Sequence, residues 1–234
     1  MENDIIEIKY AMDTFYFLIS GVLVMWMAAG FTMLEAGLVR SKNTTEILAK
    51  NVALYSIACV MYLIMGYTVM YGGISNLYVP DGFFGISAAN STAEEVLASG
   101  GDTYYSGASD FFFQVVFVAT AMSIVSGAVA ERMKLWAFLA FAVVMTGFIY
   151  PMQGSWSWGG GFLGENIGYS DYAGSGIVHL CGAAAALAGV LILGPRIGKY
   201  SASGESNAMP GANMPLATIG MFILWMGWVG FNGG

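Results

Sequence analysis

Charged residues, histidine and cysteine are scarce in this chain. Asp, Glu, Lys and Arg make up 10% of its 234 residues, against about a quarter in an ordinary soluble domain. A single histidine and two separated cysteines offer no His/Cys metal site, because ligand spacing is missing. The chain has no cluster of four or more basic residues, which argues against binding to nucleic acid, and no GxxxxGK[ST] loop to cradle a nucleotide phosphate.

Long uncharged apolar blocks take the place of the missing charges. Hydrophobic residues account for 57% of the chain, and six blocks approach or exceed the roughly 20 residues that a helix needs to cross a bilayer. Strands of a membrane barrel would alternate polar and apolar residues over about ten positions, and these blocks do not. The sequence therefore predicts an all-α, polytopic membrane helical bundle. The predicted spans are 13–34, 52–73, 111–130, 135–152, 173–193 and 214–234.

The remaining charges are distributed by loop and predict a topology. Seven of the eight basic residues lie in the first, third and fifth loops (35–50, 131–134 and 194–213). The second and fourth loops hold the acids Asp81, Glu94, Glu95, Asp102, Asp110 and Glu165. Short basic loops stay in the cytoplasm, so we expect a cell-membrane protein with its N-terminus outside. The first ten residues, MENDIIEIKY, have no basic region typical of a cleavable signal peptide.

The only histidine, His179, falls within the uncharged stretch from Tyr172 to Pro195. Asp171 precedes it by eight residues, which places His179 about 12 Å deeper and within about 80° of the same helix face. Asp171 could cap the helix or take part in a site. An ionisable group within a membrane span is a functional candidate, and hydrogen bonding to a neighbouring helix is the structural alternative for His179.

Aromatic residues gather near the predicted outer ends of three spans. They are Phe113 and Phe117 in the third span, Trp156 and Trp158 after the fourth, and Trp225, Trp228 and Phe231 in the sixth. Tryptophan at a membrane interface commonly forms only an aromatic belt. Several aromatic faces beside an acid would also attract a small cation, by about 0.5–2 kcal/mol for each contact.

Five ordered motifs resemble those of the ammonium transporter family (the Amt/Mep/Rh proteins), and of its Amt branch in particular. DYAGSGIVH resembles the family segment D-[FY]-A-G-G-x-V-V-H. The others are MLEAGLVRSKN (33–43), FQVVF…IVSGAVAERMK (113–134), WSWGGGFL (156–163) and GWVGFNGG (227–234). The resemblance runs over essentially the whole chain.

The resemblance implies a role for several of the aromatic residues and for Asp171 and His179. An outer recruitment site for ammonium would use Phe113, Phe117 and Trp158, with Asp171 holding the surrounding structure. Phe117 and Phe231 would form a stacked gate, with His179 and Trp228 lining the pore. Glu131 and Arg132 match a motif at the inner end of the third span, where a structural role is expected.

The resemblance also implies an architecture and partners. Family members have eleven spans in two inverted five-helix repeats and a final helix, so residues 1–234 would be an incomplete transporter domain: the first repeat plus the first helix of the second. A second histidine would lie in sequence beyond this chain. We expect ammonium, ammonia and methylammonium as substrates, membrane lipid around a homotrimer, a possible PII-type regulator at the cytoplasmic face, and no cofactor.

Three other functions stay open. An Amt domain can belong to an ammonium sensor, in which binding is passed to a fused signalling module. A non-conducting half-transporter that serves assembly would have the same first 234 residues. An integral membrane enzyme has the least support, because no nucleophile motif or metal cluster accompanies His179.

Overall fold

The computed structural model describes residues 2–86 and 88–234, and these form a bundle of helices. In chain order the helices are α1 (Glu2–Leu38), α2 (Ser41–Tyr71), α3 (Ala93–Ala98), α4 (Gly107–Val129), α5 (Leu135–Ser155), α6 (Phe162–Glu165), α7 (Ser175–Leu193) and α8 (Met214–Gly233). All but the short α3 and α6 are long and apolar enough to cross a membrane. Within the described residues, β pairing is limited to one isolated bridge between Tyr200 and Ser206. The predicted all-α membrane bundle is confirmed.

Helix α1 is much longer than the span predicted from hydropathy. It begins at Glu2, and its 37 residues reach about 55 Å, well beyond the roughly 30 Å of a hydrocarbon core. Glu2 and Asp4 lie in its first turn, where negative charge stabilises the amide end of a helix. Thr14 Oγ1 also accepts a hydrogen bond from the Ser106 amide at 3.0 Å, which ties this extension to the start of α4.

Glycines bring α1 and α8 into backbone contact. A Cβ atom added at Gly37 would lie 2.6 Å from both the Ala217 nitrogen and the Asn213 carbonyl oxygen, and one at Gly220 would lie 2.5 Å from the Leu34 nitrogen. Small residues permit such approach between helices in lipid. The contact between α1 and α8 therefore requires glycine at these positions.

Helix α4 is the central helix, and most of its residues are buried. Glycines in α4 and α7 differ in how closely they pack. At Gly182 of α7 an added Cβ would lie 2.7 Å from the Ala121 carbonyl oxygen, whereas at Gly127 of α4 it would meet nothing within 4 Å. Large apolar side chains such as Trp136 and Ile192 are more than 80% exposed on the bundle's outer face, which suits a lipid environment.

A buried ion pair replaces part of the predicted first loop. Residues 35–50 were expected to form that loop, but the structure places Glu35 in α1 and Lys50 in α2, both about 95% buried. Lys50 Nζ donates to Glu35 and to the Ser126 carbonyl oxygen, and it lies 5.0 Å from the centroid of the Phe138 ring. The small number of charged residues does not predict this ion pair, because Glu35 and Lys50 meet only when α1, α2 and α4 pack together.

The basic loops meet at one end of the bundle. Glu131, which has φ +60°, accepts hydrogen bonds from Arg40 Nε at 2.9 Å and from the Asn43 side chain, and it pairs with Arg196 Nη1 at 3.1 Å. Glu131 thus connects the first, third and fifth loops, the structural role expected for it. The opposite end holds the start of α4 and the end of α8, where Tyr16 donates to the Gly233 carbonyl oxygen at 2.5 Å.

Candidate functional site

One cavity of about 460 Å³ opens at the end of the bundle where α4 begins and α8 ends. Four of the aromatic residues singled out from the sequence line it: Phe113, Phe117, Trp158 and Phe231. They come from α4, from the connection that follows α5, and from α8. We call this space the aromatic cavity. The packing of distant helices, and not proximity along the chain, brings its lining together.

The rings continue from the aromatic cavity into the bundle in an unbroken series. Phe113 and Phe117 have centroids 4.7 Å apart, and Phe117 and Phe231 have centroids 4.5 Å apart. Phe231 is followed by His179 at 5.0 Å. The Phe117 and Phe231 rings are tilted by 46° and are not parallel, so the stacked arrangement expected from the resemblance is absent in this conformation. Both side chains are nearly fully buried, and both line the cavity.

Asp171 caps the start of α7. Its Oδ1 accepts hydrogen bonds from the amides of Gly174 and Ser175 at 3.0 Å, and its Oδ2 accepts from those of Gly176 and Ile177 at 2.8 Å. Free amides at a helix start carry partial positive charge, which a carboxylate neutralises. The geometry is that of the capping alternative.

The same turn positions Trp158. The indole Nε1 donates to the backbone carbonyl oxygen of Asp171 at 2.6 Å. Gly174 has φ +91°, and an added Cβ there would lie 3.1 Å from Trp158 and 3.3 Å from Phe231. A residue without a side chain is therefore needed both for the turn and for the approach of the two rings.

His179 lies in a π-helical segment, Ser175–Leu180, at the beginning of α7. Wide π turns are rare and occur frequently at functional sites, because they leave backbone groups unpaired and change the direction of side chains. In this segment Gln153 of α5 donates its amide to the Ile177 carbonyl oxygen at 2.8 Å. Sequence reasoning did not select Gln153, and no pattern in its surroundings signals this contact.

Trp228 and His179 form the deepest part of the series. Trp228 Nε1 lies 3.4 Å from His179 Nε2, and the two ring centroids are 6.1 Å apart. Since an indole N–H can only donate, Nε2 acts as the acceptor and the proton of a neutral imidazole is on Nδ1. The arrangement leaves an Nδ1–H donor on a half-buried ring.

Two tryptophans discussed from the sequence lie outside this site. Trp156 donates to the Tyr78 carbonyl oxygen and packs against Phe162. Trp225 stacks on Phe222 and is 61% exposed on the outer surface of α8. Neither of these two tryptophans lines the aromatic cavity.

Sequence reasoning placed Gln114 near the outer end of the third span but assigned no role to the polar and tyrosine-rich side of the aromatic cavity. This side is formed by Phe17, Tyr67, Tyr71, Tyr105, Asp110 and Gln114. Asp110 is 7% exposed and accepts a hydrogen bond from the Tyr67 hydroxyl at 2.5 Å. Its place at the edge of the apolar block beginning at Phe111 was the one available signal, since acids are rare next to a span.

The sequence itself has clear relatives. Residues 15–234 match the profile of the Ammonium Transporter Family. The chain belongs to this family. It is 42% identical over 232 residues to ammonium transporter Amt2 of Archaeoglobus fulgidus, with 95% of this chain and 47% of that protein covered. It is 41% identical over 230 residues to ammonium transporter Amt1 of Haloferax mediterranei, covering 94% of this chain and 42% of the relative. The chain spans about half the length of the curated relatives it matches.

Solved structures show the same fold. A sensor Amt protein superposes with a TM-score of 0.85 at 33% identity, over 97% of this chain and 55% of that one. Candida albicans Mep2 superposes with a TM-score of 0.77 at 24% identity, over 97% of this chain and 49% of that one. The bundle therefore has the ammonium transporter fold, and the protein is a multi-pass membrane protein.

Proposed function

We propose that this chain forms the recruitment site and one wall of the pore of an ammonium transporter. The observation that carries the proposal is the continuous series of rings from the aromatic cavity through Phe117 and Phe231 to His179. The family relationship and the transporter names of its relatives support the substrate. No cofactor and no enzymatic step are required.

Recruitment would depend on the faces of Phe113, Phe117 and Trp158. A desolvated cation over such faces gains about 0.5–2 kcal/mol from each ring. Trp158 and Phe117 are in edge-to-face contact, with centroids 6.4 Å apart, and both line the cavity. Asp171 contributes by holding Trp158 through its backbone carbonyl oxygen. Its carboxylate oxygens already accept four backbone hydrogen bonds.

Passage beyond Phe117 and Phe231 would be limited to ammonia. The closed rings offer no hydrogen-bond acceptor, and carrying a charge into an apolar path costs several kcal/mol. Ammonium would therefore lose one proton in the cavity, and neutral ammonia would cross when the rings separate. The Nδ1–H of His179 could then donate to the ammonia lone pair.

The fate of the proton has two distinguishable outcomes. Release to water in the cavity would make transport electrically silent, whereas transfer through the imidazole would carry one positive charge for each nitrogen atom. The two outcomes are separated by measuring the current from proteoliposomes adsorbed to a capacitive electrode and the uptake of labelled methylammonium by the same vesicles. Uptake without current indicates silent transport, and uptake with current indicates charge transfer.

Trp158→Leu tests the recruitment site. We expect KM for methylammonium uptake to rise several-fold with the maximal rate retained, because the ring lines the cavity and not the constriction. Trp225→Leu is the matched control, since that indole faces outward. If KM is unchanged in both Trp158→Leu and Trp225→Leu, the assignment of Trp158 to the recruitment site is refuted.

An ammonium sensor is the second candidate, because one of the most similar solved structures is a sensor Amt protein. A sensor would bind methylammonium at the same aromatic cavity with little or no uptake. Uptake by proteoliposomes together with a binding measurement on the same preparation separates the two functions: binding without uptake favours sensing.

We further propose that the end of the bundle bearing the aromatic cavity faces outward. The basic cluster around Glu131 would then face the cytoplasm, which places the N-terminus of α1 outside the cell membrane. Labelling of a cysteine introduced at Ser41 from the outside would contradict this orientation. A homotrimer and a PII-type regulator stay predictions from the family resemblance.

A further inference from the structure

The polar side of the aromatic cavity contains a buried acid without a basic partner. Asp110 is 7% exposed, and the ion pairs of the described residues join Arg40 and Arg196 to Glu131 and Lys50 to Glu35. Burying a carboxylate without a counter-cation is costly. The cost is offset only partly by the Tyr67 hydroxyl, which occupies Oδ2.

Two acceptors in this region lack a good donor. Among the described residues, the one hydrogen-bond donor to Asp110 Oδ1 is the Gln114 side-chain nitrogen at 3.5 Å, at the limit of a hydrogen bond. Gln114 Oε1 is buried and has no hydrogen-bond partner among the described residues. Buried acceptors of this kind are rare in native proteins and call for a ligand, an ion or a water molecule.

Three tyrosine rings line the cavity together with Asp110 and Gln114. Tyr67 and Tyr71 have centroids 5.2 Å apart, and Tyr105 packs on Phe17 at 4.6 Å. Phe17 in turn contacts Phe113 at 5.1 Å. The acidic region is thus continuous with the rings of the recruitment site.

We infer that Asp110 and Gln114 form a second cation subsite in the aromatic cavity, which binds ammonium before it reaches Phe113 and Trp158. The inference rests on the proposed function. Ammonium has four N–H donors and no acceptor, so it can bond Asp110 Oδ1 and Gln114 Oε1 together, while the tyrosine faces contact the rest of the cation. A carboxylate adds a long-range attraction that aromatic rings lack, which raises capture at low concentration.

The test measures uptake of labelled methylammonium as a function of concentration in proteoliposomes of the complete transporter, because residues 1–234 are proposed to supply only one wall of its pore. Asp110→Asn is expected to raise KM about tenfold with the maximal rate within about twofold, since a charge-assisted bond becomes a neutral one. Gln114→Met is expected to raise KM about threefold. Glu94→Gln removes an exposed acid that does not line the cavity, and it should behave as the unmodified protein.

Tyr67→Phe distinguishes binding from structural support. It keeps the ring but frees Asp110 Oδ2, so a cation subsite predicts that KM falls about twofold to threefold. If Asp110 serves only as a partner of Tyr67, both Tyr67→Phe and Asp110→Asn should lower the melting temperature and raise KM alike. That outcome, or an unchanged KM in Asp110→Asn, overturns the inference.

A binding readout keeps this inference separate from the transport proposal. Methylammonium chloride should raise the melting temperature of the purified protein above the effect of equal sodium chloride, because a ligand bound to the folded state stabilises it. Asp110→Asn should lose this effect. Stabilisation that depends on Asp110 without uptake would retain the subsite and reject transport. Uptake together with a stabilisation that Asp110→Asn leaves unchanged would retain transport and reject the subsite.

Discussion

The backbone carbonyl oxygen of Asp171 accepts a hydrogen bond from the Trp158 indole at 2.6 Å, while the Asp171 carboxylate binds four amides of the following turn. One residue thus connects the start of α7 to a ring of the aromatic cavity. The stability of the helix start and the position of a candidate substrate contact are coupled through it.

Asp171→Ala should lower both stability and uptake at low substrate. Four backbone amides lose their acceptor, which costs about 1–3 kcal/mol even with partial rescue by water. The backbone carbonyl oxygen that accepts from Trp158 stays, but the capped turn no longer holds it in place. Asp171→Asn keeps one acceptor oxygen, so its stability and its uptake should lie between those of the unmodified protein and those of Asp171→Ala. Melting temperature and KM for methylammonium measure the effects, with exposed Glu165→Gln as control. A fully stable Asp171→Ala would show that the cap is dispensable.

Phe231→Ala should produce a proton leak. Phe231 lies between Phe117 and His179 and is 3% exposed, so its removal opens a space that water can enter from the cavity. The measurement is the current driven by a pH gradient without ammonium. Phe222→Ala, which truncates a 57% exposed ring of the same helix, should stay tight. Equal tightness of both variants would argue against a gate at Phe231.

Glu131→Gln should lower stability at neutral pH and flatten its dependence on acid. Burial alone would raise the pKa of Glu131, but hydrogen bonds from Arg40 and Asn43 and the charge of Arg196 lower it below its ordinary value of 4.5. Because the folded-state pKa is depressed, the carboxylate stabilises the fold above pH 4.5. That stabilisation is lost as the pH falls through the folded-state pKa.

Melting temperatures between about pH 7 and pH 3 check this prediction. Glu46→Gln removes an exposed acid from α2 and serves as the control. If the unmodified protein and Glu131→Gln lose stability in parallel over that range, Glu131 is not the titrating group.

Gly37→Ala should disrupt the contact between α1 and α8. The added methyl group would lie 2.6 Å from backbone atoms of Ala217 and Asn213, which cannot move as a flexible side chain would. Gly127→Ala is the matched control, because its methyl group meets nothing within 4 Å and alanine favours a helix by about 0.5–1 kcal/mol. Size-exclusion chromatography in detergent should show loss of folded protein only for Gly37→Ala.

The spans and the Asp171–His179 spacing could be predicted because they depend on one stretch of chain at a time. An apolar run of about 20 residues in lipid must satisfy its backbone hydrogen bonds internally, and a helix is the solution for a single segment. The motif around His179 then identifies the helix that carries it. The extension of α1 to Glu2 was missed because it crosses no hydrocarbon and so leaves no hydropathy signal.

Contacts between helices decided the rest. Composition shows that charges are few, but not that Glu35 meets Lys50, since these residues pair only after α1, α2 and α4 pack. Hydropathy placed Asp110 at the edge of a span, and helical spacing puts it beside Gln114, but only the fold turned it towards Tyr67. A one-dimensional pattern records how each segment partitions between water and lipid. Which polar atoms find partners, and which are left facing a cavity, depends on distances between segments that the pattern does not contain.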